Sequence, residues 1–272
     1  MSDKVVAIIQ ARMAASRLPG KVLKELGHMP VLSWVVTRAR RAKLIDEVVV
    51  ATTVDPSDDE VAAFCEAQGY AYSRGSMPDV LDRYYQAAKA HQAGVVVRLT
   101  ADCPFIDPAM LDDNLRTFLE ADPPLDFAAN RMPPPFTRTI PIGLDAEYCW
   151  FSGLETIWQE AKEKHQREHV MPFFYDHPER FNNLHILHEP DYGHLRWTVD
   201  TPEDLALLRQ IVGYFPGRDD FSWLEVLELV QAHPELSDIN ASIRHKDYRE
   251  TDNRGDKPGQ AAENSTFKDT QE

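Results

Sequence analysis

Cysteine is scarce: the 272 residues hold three, Cys65, Cys103 and Cys149. They are odd in number, far apart and never paired as C-x-x-C, which excludes a disulfide framework and a zinc knuckle and predicts buried thiols in a reducing cytoplasm. Long apolar runs are missing as well. No stretch approaches the ~18 residues of a membrane helix, and the run in "MSDKVVAIIQAR" is too short for a secretory signal. The expectation is a cytoplasmic protein with no membrane partner, in which the Asn-x-Ser/Thr matches at Asn240 and Asn264 carry no glycosylation meaning. Positive charge is the minority sign, 29 Lys and Arg against 44 Asp and Glu, for a net charge of -15. That field repels a phosphate backbone, so nucleic acid is not an expected partner. Neither G-x-x-x-x-G-K-[ST] nor G-x-G-x-x-G occurs, which leaves P-loop and dinucleotide sites without support.

What is present is an alternation of strands and helices. "KVVAIIQ" and "EVVVATT" read as buried strands, with the amphipathic helix "VLSWVVTRARRAKL" between them, Arg38, Arg40, Arg41 and Lys43 lying off its apolar face. "SDDEVAAFCEAQG" has a capping-box spacing from Ser57 to Glu60 and a stop at Gly69. Strand "AYS", helix "DVLDRYYQAAKAHQAG" and strand "VVVRLT" follow, then a helix with Asp107 as N-cap and Pro108 at N1. This order predicts a doubly wound, mostly parallel α/β sheet.

From about 126 to 195 the pattern breaks. "NRMPPPFTRTIPIG" is proline-rich, "LDAEYCW" and "NNLHILH" read as strands and "SGLETIWQEAKEKH" as a helix, so this region is expected to be an inserted arm or small lobe. The main fold resumes with strand "LRWTV", helix "TPEDLALLRQIV" capped by Thr201, and the amphipathic "SWLEVLELVQAH". The expected organisation is one domain over residues 1–246 and a disordered polar tail over 247–272.

Ligands of open α/β sheets sit at the carboxyl ends of the strands, and three strand ends here carry chemistry. In "QARMAASRLPGK", Arg12, Arg17 and Lys21 can neutralise phosphate while Gly20 lets the backbone approach; a solvated basic loop is the alternative. In "RLTADCPFID", Asp102 can bind a magnesium carried by a nucleoside triphosphate or can simply form a turn. In "RWTVDTPEDL", Asp200 ends a strand just before a helix cap. Two carboxylates beside a basic loop suit metal-assisted attack on a phosphoryl group.

With "IIQARMAASRLPGKVL", "VVVATT", "RGSMPDVLDRYYQAA", "RLTADCPFIDP", "GLDAEYCW", "REHV" and "RWTVDTPEDL" in that order, the chain resembles the cytidylyltransferases that activate sugar acids. It is most similar to the branch called spore-coat polysaccharide biosynthesis protein F-like. The resemblance implies a Rossmann-like fold of the nucleotide-diphospho-sugar transferase type and a homodimer. It implies that CTP and an acidic sugar give a CMP-sugar and pyrophosphate. By the same resemblance Arg12, Arg17 and Lys21 are catalytic, Ala11, Gly20, Arg74, Ser76, Asp79, Thr100 and Asp102 join the nucleotide site, and Asp102 and Asp200 hold Mg2+. The inserted region supplies the sugar side, with Asn130, Arg131, Arg138, Asp145, Arg167 and His169 as candidates together with Arg196, since a sugar carboxylate calls for Arg.

One departure concerns the sugar: relatives that activate 3-deoxy-octulosonic acid have Gly-Asp-Glu-Pro where this chain has "ADCP", with Cys103 for the Glu. A nucleophilic Cys103 is unnecessary for direct displacement. His165 and His169 have zinc-compatible spacing, without the glutamate of H-E-x-x-H or a third ligand. The rival functions are a uridylyl- or guanylyltransferase, a glycosyltransferase, for which an Asp-x-Asp motif is missing, and a non-catalytic nucleotide-binding scaffold.

Overall fold

The structure, a computed structural model, describes residues 3–133 and 136–244; the predicted polar tail and Asn264 lie outside the described residues. β1 (Val5–Gln10) leads through a long loop and a 3-10 turn (Lys21–Leu23) to a small hairpin, β2 (Glu25–Leu26) and β3 (Met29–Pro30), and then α1 (Val31–Ala39). Next come β4 (Glu47–Thr53), α2 (Asp59–Gln68), β5 (Ala71–Gly75), α3 (Val80–Ala90), β6 (Val95–Thr100) and α4 (Pro108–Leu119).

The order of the central sheet is β5-β4-β1-β6 and then β8 (Glu147–Trp150), β7 (Phe127–Ala129) and β9 (Asn183–His185). Only β8 runs against its neighbours. The region from 126 to 195 therefore enlarges the sheet, and it adds α5 (Phe151–Glu160), α6 (Lys164–His169) and α7 (Pro172–Asp176). α8 (Pro202–Gly213), α9 (Trp223–Ala232) and α10 (Glu235–Asp238) complete the described chain. From β1 the chain winds one way to β4 and β5, then returns to lay β6 on the other side of β1. The carboxyl ends of β1 and β6 thus flank the switch point where ligands of such sheets bind.

Continuous apolar strands follow from burial on both faces. Ala7, Ile9, Val50, Val97 and Leu99 pack with α1 and α4, while Val6, Ile8, Val49 and Val96 pack with α3 and α5. A third cluster around Trp34, Phe105, Trp197 and Phe221 joins α8 and α9 to the end of the sheet.

Several local expectations needed correction. The Ser57–Glu60 capping box does not form: Asp55 accepts from Ser57 N at 2.9 Å, Pro56 begins a 3-10 turn, and α2 starts at Asp59. "LRWTV" is extended but makes one bridge, Ile142 to Arg196, and so is no strand of the central sheet. The expected helix "SGLETIWQEAKEKH" is broken, because Glu163 and Gln166 form a capping box that starts α6 afresh. Arg38 is 1% exposed, far from a polar face, and donates to the carbonyls of Ile106, Asp219 and Phe221 at 2.7–2.8 Å. Those carbonyls come from the approaches to α4 and α9, which lie more than sixty residues away in sequence and give α1 no local signal.

Candidate active site

The loop after β1 is shaped by its backbone. Met13 N donates to Asp58 at 2.6 Å, and the Met13 carbonyl accepts from Ala15 N at 2.8 Å and Gly20 N at 2.9 Å. Gly20 turns with φ +68, a conformation a side chain would strain, and starts the 3-10 turn that carries Lys21. Asp58, itself 1% exposed, also accepts from Thr53 Oγ1, so the end of β4 anchors this loop.

Lys21 Nζ reaches Asp102 Oδ2 at 2.6 Å and Asp200 Oδ1 at 2.8 Å, joining the turn after β6 to the approach to α8. Asp102 is held through its carbonyl, which accepts from Val199 N at 2.8 Å and Thr198 Oγ1 at 3.0 Å. The segment misread as a strand is what joins the two carboxylate positions. Asp200 also receives Arg17 at 3.0 Å and Arg196 at 2.8 Å. Behind it, Asp204 is fully buried and takes Arg196 Nε at 2.9 Å and Nη2 at 3.0 Å. Asp204 also accepts from the backbone N–H groups of Asp200 and Thr201 and from Asn240 Nδ2.

Electrostatics favours the charged forms of Lys21, Asp200 and Arg196. Burial alone would lower the pKa of Lys21, but Asp102 and Asp200 outweigh it, and the ammonium titrates above its ordinary value. Burial would raise Asp200, yet Lys21, Arg17 and Arg196 hold it below the usual carboxylate range. Burial lowers and Asp204 and Asp200 raise Arg196, with a net upward shift. Cys103 is pushed well up by burial and then by Asp102 and Asp145, so it is a thiol and no nucleophile.

On the α3 side of the same strand ends lies a cavity of about 130 Å³, lined by Gln10, Ala11, Arg12, Val80, Arg83, Glu168 and His169. Arg83 is 2% exposed, and its Nε and Nη1 have no hydrogen-bond partner among the described residues. Burial pushes its pKa down to about 10, which leaves it charged at neutral pH. Arg83 is not among the site residues expected from the sequence. Its signal was a charge on the buried face of α3, one helical turn after Val80.

Other predicted residues are engaged elsewhere. Arg74 donates to the carbonyls of Thr53 and Asp55 and to Asp59. Asp79 caps α3 and takes Arg167 Nε at 3.0 Å, while Ser76 Oγ accepts from Asp79 N. Asn130 donates to Leu144 O and accepts from Ala146 N, both at 2.9 Å, and so closes backbone. Asp145 pairs with Arg138, Arg131 is half-buried near Tyr175, and Thr100 Oγ1 meets Cys103 Sγ at 3.2 Å. The structure thus brings Arg17, Lys21, Asp102, Asp200 and Arg196 into one cluster, places Arg12 and His169 at the cavity, and ties Arg74, Asn130 and Arg167 into protein contacts.

Among the described residues no group of three or more His, Cys, Asp or Glu is arranged to hold a metal ion. Asp102 and Asp200 offer two carboxylates on either side of one ammonium, a donor set that suits magnesium, which commonly takes one or two carboxylates and completes its shell from water and substrate phosphates.

The cytidylyltransferase family model matches residues 6–231. The chain belongs to the cytidylyltransferase family. It is a nucleotidyltransferase. It is 31% identical to the spore coat polysaccharide biosynthesis protein SpsF of Bacillus subtilis over 245 residues, 87% of this chain and 98% of that one. It is 33% identical to a 3-deoxy-manno-octulosonate cytidylyltransferase of Bdellovibrio bacteriovorus over 127 residues, 46% of this chain and 49% of that enzyme. A solved cytidylyltransferase of Leptospira borgpetersenii superposes with a TM-score of 0.82 at 33% identity, covering 90% of this chain and all of the other. The doubly wound, mostly parallel sheet is that of Rossmann-like nucleotidyltransferases.

Proposed function

We propose that this cytidylyltransferase activates an acidic sugar of the ulosonic or nonulosonic type with CTP and Mg2+, for a surface polysaccharide or glycan. The observation that carries the reading is Lys21, whose ammonium bridges Asp102 and Asp200 at the switch point. A sugar hydroxyl oxygen attacks the α-phosphorus, a new O–P bond forms, the bond to the β-phosphate oxygen breaks, and pyrophosphate leaves with that electron pair. The hydroxyl proton is lost to solvent.

Each residue has a task in this scheme. Arg12, Arg17 and Lys21 bind the triphosphate and offset the charge that grows on the leaving group. Asp102 and Asp200 hold the magnesium, which when bound polarises the phosphoryl oxygens. Asp204 and Arg196 orient Asp200 from behind and do not touch the reacting atoms. The guanidinium of Arg83 belongs to the lining of the 130 Å³ cavity that receives the nucleotide. The sugar carboxylate falls to arginines of the 126–195 region, for which Arg131 and Arg138 are the candidates. A homodimer in the cytoplasm belongs to the same proposal.

The test is pyrophosphate release by the purified protein with magnesium, offering CTP, UTP, GTP and ATP against a panel of sugar acids. Release with CTP and one sugar acid, abolished by Asp102→Asn, is the expected result. Release with a neutral sugar only, or undiminished release by Asp102→Asn, would overturn it.

A further inference from the structure

Gln10 ends β1, and its side chain has only one orientation open to it. Arg98 of β6, on the same face of the sheet, donates from Nη2 to Gln10 Oε1 at 3.0 Å. A guanidinium has no acceptor, so the amide must turn its oxygen to Arg98 and its NH2 away. That NH2 has no hydrogen-bond partner among the described residues, and Gln10 lines the same small cavity as Arg83.

Arg98 is fixed in turn. Its cross-strand partner on β8, Glu147, hydrogen-bonds Arg98 Nη1, and the two residues are 8% and 3% exposed. Taking two charges out of water is costly, and apolar residues would fill the same space at least as well. Neither residue has a part in the reaction proposed above. Among the described residues, the group they jointly constrain at the ligand cavity is the amide of Gln10.

We propose that Gln10 is the base-selecting residue of this enzyme, with Arg98 and Glu147 as its positioning residues. The proposal rests on the nucleotide reading of the site. Gln10 NH2 and the guanidinium of Arg83 give the cavity a donor wall, with the carboxylate of Glu168 also in its lining. A ligand edge with two adjacent acceptors satisfies it. Cytosine offers N3 and O2 side by side; uracil carries a hydrogen on N3, which opposes donor to donor and leaves a buried group unpaired. The wall therefore admits a cytidine nucleotide and rejects a uridine nucleotide.

Titration calorimetry with CTP and with UTP in magnesium buffer tests this without the sugar. The wild type is expected to bind CTP at least ~10-fold tighter than UTP, as a site built to hydrogen-bond a group rejects the analogue that lacks it. Gln10→Met, close in size and without donors, should weaken CTP about 10-fold while UTP shifts less than about 3-fold, the scale of one hydrogen bond to a desolvated group. Gln10→Glu, which exchanges donor for acceptor, should weaken CTP further.

Glu147→Gln should lower the CTP/UTP ratio in the wild type and leave it unchanged in the Gln10→Met background, an effect that loss of packing alone does not produce. If the Glu147 variant does not fold, the two Gln10 variants at a half-exposed position decide the matter. A wild-type preference that survives Gln10→Met overturns the proposal and leaves the nucleotide reading standing. If neither nucleotide binds the wild type, the nucleotide reading falls, and the proposal with it.

Discussion

Asp204 and Arg196 form a bidentate pair, 2.9 and 3.0 Å, in which the carboxylate is wholly buried and the guanidinium passes its remaining charge forward to Asp200 at 2.8 Å. The pair stands one layer behind the carboxylates that meet Lys21, and it fixes where one of them points. Asn240 closes it from the other side by donating to Asp204 and to the Arg196 carbonyl.

Removing one partner should therefore damage the fold before it damages chemistry. Asp204→Ala takes the bidentate carboxylate from the buried Arg196 and deprives two backbone N–H groups of their acceptor, and a loss of roughly 3–5 kcal/mol is expected. Urea denaturation measures it. A loss below about 1 kcal/mol, the scale of an exposed pair, would mean that the buried pair does not organise the site.

Acid should act through Asp200. Its carboxyl lies below its ordinary value in the folded protein, so it contributes stability above the unfolded pKa of about 3.9 and loses that contribution as pH falls through the folded value. Lys21 is shifted the other way, so its contribution is complete below about 10.4 and is lost as pH rises through its folded pKa. Melting temperature measured from pH 7 down to pH 2 should fall more steeply below pH 4 in the wild type than in Asp200→Asn. Parallel curves would count against the linkage.

How far the sequence revealed these features depended on where the partner lay. β1, β4 and β6 were legible because strands buried on both faces need continuous apolar runs, and Asp107 and Thr201 announced their helices through hydrogen bonds two or three residues away. Lys21, Asp102 and Asp200 could be singled out because each follows a strand-like run. Asp204 was hidden by its double duty: it completes an ordinary capping box with Thr201 while serving Arg196. Arg38 and Arg98 were hidden because their acceptors lie on other elements. The "LRWTV" segment misled because β-branched spacing fits an extended chain whether or not a ladder forms beside it.

Lys21 sits where a cation is needed whether or not metal is present. Lys21→Ala should lower the rate by about 10²–10³-fold, the range for losing one charge-stabilising donor. It should also leave Asp102 and Asp200 without the ammonium between them, and a carboxylate pair relieved of that competing charge binds a divalent cation more tightly, although Arg17 and Arg196 still face Asp200. Calorimetric titration with magnesium alone should therefore show higher affinity in the variant. Lower affinity would place the metal elsewhere.

Arg83 tests whether stability has been given up at the ligand cavity. Its charge is buried, two of its donor atoms have no protein partner, and burial already depresses its pKa to about 10. Arg83→Met keeps the length and the apolar contacts of the stem and removes the desolvated charge, so the variant should be more stable than the wild type by ~1–4 kcal/mol, as when other buried ionic groups are replaced by apolar ones. The same change should weaken CTP about 10-fold or more, since the ligand loses a guanidinium from the cavity lining. Opposite signs in denaturation and nucleotide titration are the signature of a residue retained for its ligand. A fall in both would mean that Arg83 serves the fold, and the cavity would then lack its strongest argument as a nucleotide pocket.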